Sequence, residues 1–191
     1  MASGPIHAQP ARAGSQPNDD CAFPAAAGSP FHDGWLRLSA GCPGCFLRDG
    51  SGTACPCGNA GGIGEGCAND TGSGAVLSGS GSASITADDL VLSTTNLTPG
   101  PGLFFQGNNA VNSGNGNPFG DGLRCVGGQV VRLEVQFSSA GSSATTISIP
   151  TKGGVSAGDS KRYQLWYRDS GGSPCNSGFN LTNGYEITWT L

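Results

Sequence analysis

The amino-acid sequence predicts an all-β protein. We expect an antiparallel β-sandwich, jelly-roll-like, or a partly open barrel, with an extended, disulfide-tied N-terminal arm. Six of the eight cysteines fall in the first 67 residues, among glycines and prolines. From about residue 71, apolar residues alternate with polar ones in short runs separated by Gly, Asn and Ser, which is the pattern of half-buried strands. No run combines helical spacing of apolar residues with usable caps, so we expect no helix.

Composition and charge exclude several classes of protein. Charged residues make up 12% of the 191 residues, against a usual share of about 25%. The net charge is -4 and the basic residues are scattered, so we expect no nucleic-acid partner. No apolar run approaches the ~20 residues that a membrane span needs.

The chain divides into three parts. Residues 1–20 are rich in Pro, Ala and Ser, which predicts a flexible tail or the remnant of a targeting segment ending near Ala11–Ala13. Residues 21–70 form a Cys/Gly-rich extended arm, and residues 71–191 form the β-sandwich domain.

Candidate strands follow one another along the β domain. Runs at 82–86 and 90–94 flank Asp88 and Asp89, which we interpret as a turn. A compact apolar strand follows at 103–106, and another run at 145–149 is stopped by Pro150.

The strongest alternation lies in three further runs. Val131, Leu133, Val135 and Phe137 should form the buried face of one strand. The run at 163–168 predicts a second strand. The run at 185–191 predicts a third, with apolar residues facing inward as far as Leu191.

An even number of cysteines in a Gly-rich, acidic, Lys-poor chain indicates disulfides and an oxidising compartment, so we expect a secreted protein. The eight are Cys21, Cys42, Cys45, Cys55, Cys57, Cys67, Cys125 and Cys175. Cys42, Cys45, Cys55 and Cys57 could also hold zinc, but we favour disulfides and expect no metal. Cys125 and Cys175 lie apart from the other six, and we expect them to pair with each other.

The arm contains a short apolar segment that needs burial. Its apolar residues are Phe31, Trp35, Leu36 and Leu38. We expect them to lie in a groove of the β domain, and we favour a neighbouring chain while leaving the same chain open.

The sequence offers little for catalysis. The two histidines, His7 and His32, both lie in the N-terminal region, so a triad would have to recruit one of them. The segment 107–122 is rich in Asn and Gly but carries a single carboxylate, Asp121, which favours turns over a calcium loop. We therefore expect no catalytic residues and no cofactor.

Ligand binding is a further possibility at the aromatic residues. Trp166 falls on the polar face of its strand, so we consider it a ligand platform or subunit contact, together with Asn108 and Asn109. Trp189 shares a face with Ile187, which predicts a core position.

Several motifs resemble a recurrent family. They are Ala54–Asn59 (ACPCGN), Gly66-Cys67, Pro101–Gly107 (PGLFFQG), Phe119–Cys125 (FGDGLRC) and Tyr163–Asp169 (YQLWYRD). Together they resemble the Gly-rich, disulfide-containing C-terminal β domains of many secreted proteins of environmental bacteria, mostly of unknown function. The resemblance covers about residues 54–191 and implies no particular chemistry. At the level of fold alone, such domains are also similar to subunits of extracellular, pilus-like fibrils joined by donor strands.

These observations predict a secreted, non-enzymatic structural protein. We expect a self-assembling subunit of an extracellular fibre or cell surface, whose arm packs on a neighbouring subunit. An extracellular carbohydrate-binding module with glycan partners is the alternative, and a secreted hydrolase is the third.

Overall fold

Antiparallel strands form most of the regular secondary structure in the computed structural model, which describes residue 45 and residues 52–191. Within that part of the chain, the strands are β1 Val76–Ser80, β2 Val91–Thr95, β3 Pro101–Gly107, β4 Asn109–Ala110, β5 Asn117–Phe119, β6 Gly122–Arg124, β7 Val126–Gly127, β8 Val131–Phe137, β9 Ser143–Ala144, β10 Ser160–Arg168, β11 Phe179–Leu181 and β12 Tyr185–Thr188. One short helix, α1, spans Ile149–Gly153, and 3-10 turns lie at Pro56–Gly58 and Val111–Gly114. The predicted all-β class is confirmed.

Two sheets pack as an open sandwich. The smaller sheet has the order β1-β2-β9. The larger has the order β11-β10-β3-β8, and β12 pairs with the first half of β10, on the edge that β11 covers further along. Two small ladders, β4-β7 and β5-β6, stand beside the larger sheet.

The main core fills the space between the sheets. Leu77 and Leu92 face it from the smaller sheet, and Phe104 and Leu165 face it from the larger one. Trp189 is 1% exposed, as predicted, and its indole N–H donates a 2.8 Å hydrogen bond to the Tyr163 hydroxyl. Because of that bond, the buried indole N–H and the buried tyrosine oxygen each have a hydrogen-bond partner.

The predicted alternation at 163–168 is confirmed in β10. Tyr163, Leu165 and Tyr167 are buried in the main core. Gln164 and Trp166 therefore point to the opposite face of the sheet, because successive side chains in a strand alternate.

Two predicted strands are wrong. Residues 82–86 form turns in which Asp89 accepts hydrogen bonds from the backbone N–H and the hydroxyl of Ser82. Residues 145–149 do not form a strand either, since β9 ends at Ala144 and α1 begins at Ile149.

The expectation that no helix forms is also wrong, although α1 has only five residues. Pro150 lies in its first turn, where the missing N–H costs nothing. The Ser148 side chain caps it by accepting from the Thr151 N–H at 3.3 Å. Five residues are too few to show helical periodicity in a sequence.

The predicted inward face of the last run extends only to Trp189. Strand β12 ends at Thr188, and Leu191 is 84% exposed.

Two disulfides tie the segment before residue 71 to the β domain, and a third closes a loop within that segment. Cys45 pairs with Cys125, Cys55 with Cys67, and Cys57 with Cys175. No cysteine in the described part of the chain is free. Cys21 and Cys42 lie outside the described residues.

The expected bond between Cys125 and Cys175 is therefore wrong. Both pair instead with cysteines from the earlier segment, at Cα–Cα distances of 5.1 and 5.7 Å. Separation along the sequence was a poor guide because residues 52–70 fold back onto the larger sheet. The Asn180 side chain of β11, for example, donates to the Cys67 carbonyl at 3.2 Å.

Candidate functional site

An apolar groove of about 450 Å³ lies on the face of the larger sheet that points away from the main core. Leu103 and Phe105 of β3 and Trp166 of β10 line it, because alternation turns them away from Phe104 and Leu165. Leu181 of β11 and Val135 of β8 extend the same surface on either side. We call this surface the Trp166 groove.

Aromatic rings form one wall of the Trp166 groove. The rings of Trp166 and Phe179 are 5.6 Å apart, and those of Phe179 and Phe119 are 5.1 Å apart, both tilted. Gly120 follows Phe119 with φ of +64° and lies against the Phe179 ring, so a side chain there would displace the ring. The tight turn between β5 and β6 therefore places Phe119 at the groove.

Three cationic side chains surround the groove. Arg124 and Arg132 line it, and the Arg168 guanidinium lies over the Trp166 ring, 5.2 Å from its centroid. A guanidinium over an indole face is attracted by the negative charge of the ring face. Within the described residues, no carboxylate lines the groove.

A bulge in β8 produces the exposed apolar side chains on the far side of the groove. Phe104 pairs with Glu134, whereas Phe105 pairs with Arg132, so Leu133 has no direct partner on β3. A bulge shifts the alternation by one residue. Val131 and Leu133 consequently contact the main core, while Val135 and Phe137 are 59% and 72% exposed. The prediction of one buried face through Phe137 is wrong for these two residues.

The exposed apolar residues concentrate on this surface. Among the described residues, six large hydrophobic side chains are exposed: Ile63, Phe119, Val130, Val135, Phe137 and Leu191. Phe119, Val130 and Val135 line the groove, and Phe137 follows Val135 on the same face of β8. Strand β8 is also an edge strand, which pairs with β3 alone.

A buried glutamine holds β6, which carries Arg124, and the start of the β6–β7 connection on the sheet. Gln164 is fully buried, and its amide donates to the carbonyls of Leu123 and Thr182 at 2.8 and 2.7 Å. Its side-chain oxygen accepts from the Cys125 N–H at 3.0 Å. The Cys45–Cys125 disulfide is buried beside it, in a second, smaller hydrophobic cluster that includes Phe105 and Leu181.

A buried carboxylate anchors the loop that precedes Phe179. Asp121 accepts hydrogen bonds from the hydroxyls of Ser173 and Ser177, and from the Ser177 N–H at 3.2 Å. Burial opposes ionisation of Asp121, but the hydrogen bonds from Ser173 and Ser177 outweigh it and hold its pKa below the ordinary value. Asp121 therefore has a structural role in this loop.

A second carboxylate, Asp169, lies near Asp121 and Asp70. Its side chain is fully buried, and one of its oxygens accepts from the Asp70 N–H at 3.2 Å. Burial raises the pKa of Asp169, and the charges of Asp121 and Asp70 add to the effect. Among the described residues, no three His, Cys, Asp or Glu side chains are grouped so as to hold a metal ion.

The structure separates the predicted ligand residues. Trp166 is half-buried and lines the groove, but Asn108 and Asn109 follow the opposite end of β3 and do not line it. Asn108 instead accepts a hydrogen bond from Lys161 at 3.0 Å and donates one to Gln129 at 2.8 Å. The arm residues Phe31, Trp35, Leu36 and Leu38 lie outside the described residues, as do both histidines.

Sequence reasoning missed most of the groove. Phe105, Phe119 and Phe179 belong to separate, short strands, and Arg124 and Arg132 had no distinguishing pattern. The motif FGDGLRC was noticed, and its Phe119, tight turn and Arg124 all prove to be part of the groove wall.

Comparisons with known proteins found no similar protein. No family model, no curated protein and no solved structure matches the chain. In the described part of the chain, no helix has the length and apolar character needed to cross a membrane.

Proposed function

We propose that the protein is a secreted, non-enzymatic structural subunit that assembles with copies of itself, residues 31–38 in the arm of one copy packing on the Trp166 groove and the β8 edge of the next. One observation carries the proposal. Four of the six exposed large hydrophobic side chains in the described residues lie on this one surface, and three of them, Val130, Val135 and Phe137, lie on or next to the unpaired edge strand β8. An apolar patch beside free N–H and C=O groups favours pairing with another strand.

The arm has the properties of such a partner. Phe31, Trp35, Leu36 and Leu38 form an apolar segment in an otherwise Gly- and Pro-rich region. A strand added at β8 would satisfy the free backbone groups, and its side chains would cover Val135 and Phe137. Contacts of this head-to-tail kind need not close and can extend into a filament.

Chain geometry allows the arm to reach β8 of its own chain or of a neighbouring copy. Cys45 lies beside the β11–β12 connection, where its carbonyl accepts from the Gly184 N–H at 3.1 Å. The outer edge of β8 is three strand spacings away, about 14 Å. Leu38 precedes Cys45 by seven residues, which span at most about 25 Å when extended. This reach exceeds the distance, so an arm can pair with its own β8 or with a neighbour's, and polymers of the wild type would identify the neighbour.

Secretion is part of the proposal and is supported by the disulfides. The six described cysteines form three bonds, and such bonds persist in oxidising compartments.

The experiment compares assembly of full-length variants by negative-stain microscopy and light scattering. The wild type should form elongated polymers. Trp35→Asp/Leu38→Asp in the arm and Val135→Asp/Phe137→Asp on β8 should each remain monomeric with an unchanged circular dichroism spectrum. Ile63→Asp is the matched control, since Ile63 is 53% exposed but does not line the groove.

Polymers formed equally by both double variants would refute the proposal. A monomer that binds glycans through Trp166 would favour the carbohydrate-binding alternative. That alternative has less support, because the described lining of the groove contains no amide or carboxylate side chain to bind sugar hydroxyls.

A further inference from the structure

The arginines around the Trp166 groove have no acidic partners in the described part of the chain. Arg124, Arg132 and Arg168 are all exposed, and none forms an ion pair there. The ion pairs found among the described residues join Lys161 to Asp159 and Arg162 to Glu186. An acidic protein, with a net charge of -4, thus has a locally cationic apolar groove.

Such a surface favours a particular kind of occupant. An apolar segment alone would fill the groove but would bring the guanidinium groups into a less polar environment without compensation. A segment that also carries a carboxylate would pair with them, and guanidinium groups are well suited to such pairs because they are weakly hydrated and bind carboxylates with two parallel hydrogen bonds.

The arm contains this combination in its sequence. In an extended strand, Phe31, Asp33 and Trp35 share one face, because side chains alternate. If the segment pairs as a strand, this face would present a carboxylate between two aromatic rings. Arg37 follows on the same face. If the strand slipped by two or four residues, Arg37 would move toward the arginines of the groove, which would repel it.

We propose that Asp33 of one copy forms an ion pair with Arg124 and Arg132 of the next, and that this charge selects the arm segment and fixes its register in the groove. The inference rests on the proposed assembly and specifies its chemistry. The apolar side chains supply the contact area, and the charges determine which segment binds and where.

The test is a charge exchange between two full-length variants. Asp33→Arg reverses the charge of the arm segment, and Arg124→Glu/Arg132→Glu reverses the charge of the groove. Each variant alone should need at least about tenfold more protein to assemble than the wild type, since it places like charges together. Mixed in equal amounts, they should co-assemble near the wild-type concentration, because each arm then meets a groove of opposite charge.

Control variants distinguish the effect of charge at the groove from the effect of a charge change elsewhere on the protein. Lys152→Glu reverses an exposed cation on α1, outside the groove, and should assemble like the wild type. Circular dichroism must show that each variant is folded, and the single variant Arg132→Glu replaces the double variant if the latter is not.

Three outcomes would overturn the inference. Normal assembly of both charge variants would leave the proposed assembly in place but remove the role of charge. Loss of assembly without rescue on mixing would show that Asp33 and the arginines do not meet between copies. A wild type that does not assemble would refute the proposed function, and this inference with it.

Discussion

Replacing Gln164 by leucine should destabilise the fold far more than the same replacement at Gln106. Both side chains are buried, with 0% and 2% exposure. Gln164 makes three hydrogen bonds to backbone groups, of Leu123, Thr182 and Cys125, and its amide also donates to the Cys125 sulfur at 3.1 Å. Gln106 makes one, to the Gly153 carbonyl at 2.9 Å, and its side-chain oxygen has no partner.

The magnitude follows from the groups left without partners. A buried polar group that loses its partner costs about 1–3 kcal/mol. Gln164→Leu leaves three backbone groups unpaired, so the free energy of unfolding should fall by about 3 kcal/mol or more. Gln106→Leu leaves one carbonyl unpaired and also removes an unpaired oxygen, so its cost should stay near 1 kcal/mol.

Urea unfolding of the two full-length variants measures this difference. Tryptophan fluorescence and circular dichroism should be followed together, without reductant, so that the disulfides remain intact. The matched pair controls for side-chain type, volume and burial. Costs that agree within about 0.5 kcal/mol would refute the view that Gln164 fastens the groove wall to the sheet.

Two further predictions concern the disulfides and the response to acid. Peptide mapping without reduction should recover the pairs Cys45–Cys125, Cys55–Cys67 and Cys57–Cys175, and a Cys125–Cys175 peptide would contradict the fold. Hydrogen bonds to Asp121 lower its pKa below the ordinary 3.8, so the stability it contributes is full above that value and is lost as the pH falls through the lower folded value. Denaturant unfolding at pH values from about 5 down to about 2 should therefore show a steeper loss of stability in the wild type than in Asp121→Asn, and parallel curves would show that Asp121 is not paired.

A strand and its buried face were predictable where every second side chain along the strand faces the same core. In β10, alternate residues face the main core along most of the strand, and the predicted positions of Tyr163, Leu165 and Tyr167 are correct. In β8 the same pattern was misleading after Leu133, because a bulge depends on pairing with β3 and leaves no mark in the strand's own sequence.

The site was predictable only in part. Trp166 was identified because a large aromatic side chain on the polar face of a strand indicates a contact with a ligand or another surface. Its neighbours Phe179, Phe119 and Arg124 come from other strands, and a chain's sequence does not say which side chains of separate strands will meet. Asn108 was grouped with Trp166 on composition, and the structure assigns it to a hydrogen-bond network with Lys161 and Gln129.

The sequence by itself determined the all-β class, the order of the main strands and the disulfide-forming character of the cysteines. Each of these depends on local properties, namely side-chain alternation, turn residues and the number of thiols. Only the tertiary structure decided the disulfide pairs, the exposed apolar edge of β8 and the arginines around the Trp166 groove. These depend on contacts between residues far apart in the chain, such as Cys57 and Cys175, which are separated by 118 positions. Packing of whole elements brings such residues together, and no local pattern encodes that packing.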